Sequence, residues 1–325
     1  MTFVFLGVGL LLLFVGGELL VRGAVRLAEG LGISPLVIGL TVVGFGTSTP
    51  EMVTSIQAAL AETPGIAIGN IVGSNIANIL LILGLSAVIF PIVVQSVALK
   101  RDGAIMLGVA VVFSLLAAAF PLTRPVGIVF VAVLAGYVFY VIRQERRAAA
   151  AAHGAVYDKA LALEGADPAL VPRPVEKPSR VLPVIFCVVG LALLIGGGKL
   201  LVDNAVALAQ QMGISDTVIG LTIVAVGTSL PELVTSLIAA VRQQADVAFG
   251  NIVGSNIYNI PAIGGITAVI APVSVPPQIV TFDNPAMIVA SLLLLLFAWT
   301  GLRIRRLEGA LLVAAYAVYV YLIWP

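Results

Sequence analysis

Two glutamates, Glu51 and Glu232, stand mid-way along apolar stretches, each directly after a proline in the motif Gly-Thr-Ser-x-Pro-Glu. A carboxylate at the depth of a bilayer's hydrocarbon core is costly, and by default it marks a functional site. A single such residue could be satisfied by a neighbouring helix or could snorkel to the membrane surface. Two in matched contexts, both mid-span, point instead to a shared site. The prolines supply a second kind of ligand. A proline inside a helix lacks the backbone N–H and pushes away the carbonyl four residues earlier. Here that frees the Gly46 and Gly227 carbonyls and loosens the turns Gly44–Thr47 and Ala225–Thr228. Freed carbonyls at broken helices commonly coordinate cations in membrane transporters.

A second pair of blocks follows: Gly69-Asn70-Ile71-Val72-Gly73-Ser74-Asn75-Ile76-Ala77-Asn78 and its partner from Gly250 to Asn259. At a spacing of four, Asn70, Ser74 and Asn78 share one helix face, as do Asn251, Ser255 and Asn259. Small and polar residues also glue membrane helices together without any ligand. Beside the two carboxylates, however, the stripe adds hydroxyl and amide oxygens. All the donors are hard oxygens, with no sulfur and no imidazole. That set suits calcium, which takes about 6–8 oxygens at roughly 2.3–2.6 Å, and it suits sodium. Two carboxylates carry a charge near −2, which one divalent cation neutralises and monovalent ions could replace on the same oxygens. Competition for shared ligands is what couples an antiporter.

Other chemistries find little support. The single cysteine, Cys187, lies in an apolar run, and the single histidine, His153, in a polar one. Zinc, haem and iron–sulfur centres need clusters of these residues, so no cofactor is expected. No nucleophile–base pair stands in the apolar segments, which argues against an enzyme. Nothing suggests a nucleic-acid partner. Glu18 and Lys199 occupy matched positions with opposite charge and read as local anchors. The acids Glu145, Asp158, Glu164, Asp167 and Glu176 do not form an EF-hand loop.

The elements that hold these groups must cross a membrane. Of 325 residues 60% are apolar and 10% charged, against about 25% charged in soluble domains. Apolar runs predict ten helices, at 2–28, 34–61, 66–90, 102–120, 124–143, 181–209, 215–242, 246–271, 284–301 and 307–324. The apolar start lacks a basic leader and a cleavage site and reads as the first span. Residues 144–180, rich in proline, alanine and mixed charge, read as a flexible linker between the units 1–143 and 181–325. The expected partner of both units is the lipid bilayer of a bacterial-type inner membrane.

Lysine and arginine favour the cytoplasmic side. With the linker placed there, Arg22, Arg26, Lys100, Arg101, Arg242, Arg303, Arg305 and Arg306 fall inside too. Five helices on each side of the linker then put both termini outside and give the halves opposite orientations. The halves also match in sequence. Gly32–Ile89 aligns with Gly213–Ile270 at a constant offset of 181 without a gap, roughly 35 of 58 positions being identical. Duplication separated by an odd number of spans is the mark of an inverted-repeat transporter, whose substrate sits near midplane where the repeats meet. The expected fold is therefore an all-α integral membrane protein of ten helices in two inverted five-helix repeats. One chain would suffice for a complete site.

G-T-S-x-P-E followed by G-N-I-V-G-S-N-I-x-N, present twice, resembles the alpha repeats of the cation/calcium exchanger superfamily, most closely its prokaryotic sodium/calcium exchangers. The resemblance implies alternating access, with helices 1 and 6 sliding past the other eight. It implies calcium binding by Glu51 and Glu232 with the Thr47 and Thr228 carbonyls. It implies sodium sites from Ser48, Ser74, Ser229, Ser255 and the Gly44 and Ala225 carbonyls. Asn78 and Asn259 complete the polar stripe. Several members carry aspartate where this chain has Asn259, which removes one potential charge and leaves the ion stoichiometry open. Gly73 and Gly254 stand where proton-coupled relatives typically carry glutamate. That favours sodium as counter-ion over the alternative, a divalent cation/proton antiporter.

Overall fold

In lipid the backbone must satisfy its own hydrogen bonds, which long helices do. The computed structural model describes residues 2–31, 33–96, 99–164, 181–211 and 225–323, and nearly all of them are helical. The first unit contains α1 (Thr2–Leu31), α2 (Pro35–Thr47), α3 (Thr49–Leu60), α4 (Pro64–Ile89), α5 (Leu99–Ala119) and α6 (Arg124–Glu164). The second contains α7 (Val181–Gln211), α8 (Ala225–Thr228), α9 (Leu230–Val241), α10 (Ala245–Ile270), α11 (Ile279–Trp299) and α12 (Arg306–Ile323). Among the described residues eight helices are long and apolar enough to cross a bilayer, and α2 with α3, bent by 41°, makes a ninth. The chain is thus a multi-pass membrane protein. The start of the helix expected over 215–242 and the linker from 165 to 180 lie outside the described residues.

Several boundaries differ from the sequence expectation, among them the end of α1, at Leu31 and not 28. The helix expected over 124–143 continues as α6 to Glu164. Its extension runs through Ala148–Ala152, alanine being the strongest helix former, and meets no proline before Pro168. The start of α5 comes earlier than 102, at Leu99, through a π-helical turn, Leu99–Gly103, in which Arg101 and Asp102 pair with each other. The start of α11 comes earlier than 284, because a π-helical turn, Ile279–Asp283, leads into the Asn284-Pro285 that looked like a helix start.

The apolar interior divides in two. One cluster gathers Leu13, Leu20, Ala24, Leu27 and Ala28 of α1 with Cys187 and Leu194 of α7, touching α2 through Ile38 and Val43. The other, far larger, joins α3 to α6 with α9 to α12 and takes in Val21 of α1 with Leu36 and Leu40 of α2. Helices α1 and α7 meet backbone to backbone at glycines. A methyl group on Gly16 would lie 2.8 Å from the Gly190 carbonyl oxygen, and one on Gly190 would lie 2.7 Å from that of Gly16. Small residues permit such approach in membrane helices, and dispersion then holds the pair.

The sequence match extends into three dimensions. Helices α2 and α3 break at Ser48 (φ −79°, ψ 6°), and α8 and α9 break at Ser229 (φ −88°, ψ 9°). A π-helical turn interrupts α4 at Asn78–Leu83 and α10 at Asn259–Gly264. Glu62 and Gln243 both take the left-handed conformation that ends α3 and α9. In each unit a tyrosine of the last helix donates to an acid at the start of the helix before it. Tyr137 reaches Asp102 at 3.0 Å and Tyr319 reaches Asp283 at 2.9 Å. A short antiparallel pair, β1 (Ile92–Val93) with β2 (Arg303–Ile304), ties the two units together.

Candidate functional site

Both glutamates sit in the first turn after the helix break, Glu51 in α3 and Glu232 in α9, and each is only 1% exposed. Each is held from the opposite half. The Ser48 hydroxyl donates to Glu232 Oε1 at 3.0 Å, and the Ser229 hydroxyl donates to Glu51 Oε1 at 2.9 Å. The serine that breaks one helix therefore orients the carboxylate beyond the break in the other.

The asparagines brace this arrangement. Asn70 Nδ2 donates to the Glu51 carbonyl and to Ser55 Oγ, both at 2.9 Å, and its Oδ1 accepts from Thr228 at 3.4 Å. Its counterpart repeats the pattern. Asn251 Nδ2 donates to the Glu232 carbonyl at 3.4 Å and to Ser236 Oγ at 2.9 Å, and its Oδ1 accepts from Thr47 at 3.2 Å. Asn70 and Asn251 each tie a glutamate-bearing helix to its neighbours through these bonds. Ser55 and Ser236 were missed at the sequence level. The signal was there, because they match at the offset of 181 and sit one helical turn beyond the glutamates.

Ser74 and Ser255 line the same space. Ser74 Oγ lies 3.4 Å from Ser229 Oγ, and the Ser255 hydroxyl reaches the Gly44 carbonyl at 3.3 Å. That carbonyl also accepts from Ser48 N–H at 3.2 Å and lies 3.4 Å from the Thr47 hydroxyl. Ala225 is the first residue of α8, three positions before Thr228. Asn78 and Asn259 open the π-helical turns, a kind of distortion often found at functional sites. Asn78 Nδ2 donates to Asn256 Oδ1 at 3.0 Å, and Asn256 Nδ2 donates to the Asn75 carbonyl at 3.2 Å. Asn75 and Asn256, deep between the halves, were another omission of the sequence reading.

The close approach expected from glycine is present on one side. A methyl on Gly250 would lie 2.7 Å from the Leu36 carbonyl oxygen, and one on Gly254 would lie 2.6 Å from that of Leu40. Around Gly69 and Gly73 nothing lies within 4 Å of such a methyl among the described residues. The counterpart of the Leu36–Leu40 stretch, 217–221, lies outside them.

Glu51 Oε2 and Glu232 Oε2 are buried with no hydrogen-bond partner among the described residues, as are Asn78 Oδ1 and Asn259 Oδ1. Thr235, Ser86, Thr267 and Asn284 also bury unpartnered polar atoms, and like the two asparagines they are neutral. An unpaired carboxylate oxygen in a dry interior is far more costly. Two carboxyls, each taking a hydroxyl from the opposite half on Oε1 and each with Oε2 unpartnered among the described residues, are fitted to receive a cation. No cluster of three or more His, Cys, Asp or Glu occurs among the described residues, so carbonyl, hydroxyl and amide oxygens must complete any coordination shell.

Comparison with known proteins places this geometry. The model of the family described as sodium/calcium exchanger protein matches the chain twice, at residues 1–143 and 182–324. The chain belongs to that family. Among its relatives is the sodium/calcium exchanger MaX1 of Methanosarcina acetivorans, 36% identical over 99% of this chain and 98% of that one. The inner membrane protein YrbG of Escherichia coli is 37% identical over 98% and 95% of the two chains. The solved sodium-calcium exchanger NCX_Mj, soaked with 10 mM sodium and no calcium, superposes with a TM-score of 0.83 at 31% identity, covering all of both chains. Family membership, fold and the twice-occurring motif agree with one another.

Proposed function

We propose that this chain is a secondary antiporter that exchanges calcium for sodium across the membrane by alternating access. The observation that carries the proposal is the pair of buried glutamates, each hydrogen-bonded from the opposite half and each left with one bare oxygen. Glu51 and Glu232, with the Thr47 and Thr228 carbonyls, hold calcium. Sodium ions take subsites built from Ser48, Ser74, Ser229, Ser255 and the Gly44 and Ala225 carbonyls, with the Asn78 and Asn259 amide oxygens at the edge. The ions share oxygens, so calcium must leave before sodium fills the site. Membership in the sodium/calcium exchanger family and the likeness to MaX1 and NCX_Mj support this cargo.

In this reading the chain spans the membrane ten times as two inverted five-helix repeats, with both termini outside and 144–180 in the cytoplasm. The units are 1–143, the linker and 181–325, and a single chain carries the complete site. Helices α1 and α7 move as one body past the remainder. The glycine-to-glycine packing of α1 on α7 at Gly16 and Gly190 supports that division.

The test is calcium-45 uptake into proteoliposomes loaded with sodium, against sodium-free vesicles and vesicles carrying only a proton gradient. The proposal expects uptake that needs internal sodium. Uptake driven by the proton gradient alone would assign the chain to divalent cation/proton exchange instead.

A further inference from the structure

The two halves are alike at the glutamates and unlike just outside them. A small cleft of about 10 Å³ between α4 and α8–α9 is lined by Ala77, Leu81, Ile82, Val226, Ser229 and Leu233. It leads to the Ser229 hydroxyl, which donates to Glu51. Its walls are apolar and two of the lining residues, Ala77 and Val226, are small. At the offset of 181 those two positions become Tyr258 and Phe45. Their rings meet edge to face, with centroids 5.6 Å apart and planes at 69°. Tyr258 is 5% exposed, whereas Phe45 is 46% exposed. One ring therefore fills the interior side of the gap and the other covers it from outside. Behind them lies Ser48, the counterpart of Ser229, with its hydrogen bond to Glu232.

We propose that Phe45 and Tyr258 form an aromatic stopper over the second of two symmetry-related routes to the ion site, so that the routes are unequal by construction. The inference rests on the reading of the glutamates as the ion site. Residues 77 and 258 correspond by repeat symmetry, and so do 226 and 45. Small side chains leave a cleft at one place, and a ring pair occupies the other. An ion reaching Glu232 past Ser48 must wait for the pair to part, whereas one reaching Glu51 past Ser229 meets no ring among the residues that line the cleft. An edge-to-face pair adds its own attraction to the area it buries, so parting it slows passage on that side alone.

Thiol accessibility tests this without any ion flux. In a Cys187→Ala background, Leu81→Cys reports the open cleft and Ala262→Cys reports its counterpart. The probe is a trimethylammonium-ethyl methanethiosulfonate, present on both sides of reconstituted vesicles. Ala262→Cys is expected to react about tenfold more slowly than Leu81→Cys, and adding Tyr258→Ala is expected to raise the Ala262→Cys rate about tenfold. Tyr258→Phe, which keeps the ring, should leave that rate unchanged and shows that the effect is not a failure to fold. An Ala262→Cys rate that stays within about twofold when Tyr258→Ala is added would overturn the stopper. If the thiol rates behave as expected but no sodium-driven calcium flux is found, the stopper stands and the assignment of cargo falls.

Discussion

Substituting Gly254 by alanine should damage the ion site from a distance, by geometry alone. The added methyl would lie 2.6 Å from the Leu40 carbonyl oxygen, 2.8 Å from Leu40 Cα and 3.0 Å from its carbonyl carbon. All three atoms are backbone, so no side chain can swing aside. Ordinary contact begins near 3.4 Å, so α10 and α2 must part by roughly 0.8 Å. Two contacts span that gap: Ser255 Oγ to the Gly44 carbonyl at 3.3 Å, and Thr47 Oγ1 to Asn251 Oδ1 at 3.2 Å. Either one lengthened by that amount ceases to be a hydrogen bond. Overpacking of this kind costs about 1–3 kcal/mol. If the site bears that strain, calcium binding weakens by about fivefold to 150-fold. Calorimetric titration of calcium into the purified protein measures it, with thermal unfolding as a check on folding. Gly136→Ala, where nothing lies within 4 Å among the described residues, is the control and should bind like the wild type. A folded Gly254→Ala protein that binds calcium as tightly as the control would refute the link between helix approach and site geometry.

Three further outcomes follow from named contacts. Asn251→Ala removes an amide that braces the Glu232 carbonyl, Ser236 and Thr47 in a buried setting. It should lower stability by about 1–3 kcal/mol, read by thermal unfolding, with the half-buried Asn70→Ala costing less. Asp102→Asn removes the carboxylate beside Arg101, whose side chain is 8% exposed. It should cost about 3–5 kcal/mol, whereas Asp283→Asn, which removes a carboxylate that accepts from the uncharged Tyr319, should cost clearly less in the same assay. Glu18 pairs with Arg242 across α1 and the end of α9, and with Arg22 on its own helix. Because both arginines are more than 40% exposed, Glu18→Gln should change stability by no more than about 1 kcal/mol, and less at high salt.

Much of the site is legible in the chain itself. Glu51 and Glu232 stand out because lipid punishes charge, and the prolines before them locate the helix breaks that the structure puts at Ser48 and Ser229. The 181-residue offset carries the equivalence of the halves. It cannot say which hydroxyl meets which carboxylate. That each serine reaches the glutamate of the other half depends on how the halves interlock, and a one-dimensional match holds no such information. The π-helical turns at Asn78 and Asn259 are invisible for a related reason. They arise from packing in the interior, which hydropathy and motif spacing do not register. The extension of α6 is easily misread because charged residues and alanines look like a linker when only hydropathy is weighed. Helix propensity argues the other way.

The most direct measurement is calcium titration into the purified protein at zero and high sodium, for wild type, Glu51→Gln and Glu232→Gln. The account predicts one calcium site in the wild type, weakened steeply by sodium and lost in either variant. Calcium binding that persists in both variants, or that ignores sodium, would contradict the central claim that the two ions compete for oxygens gathered around Glu51 and Glu232.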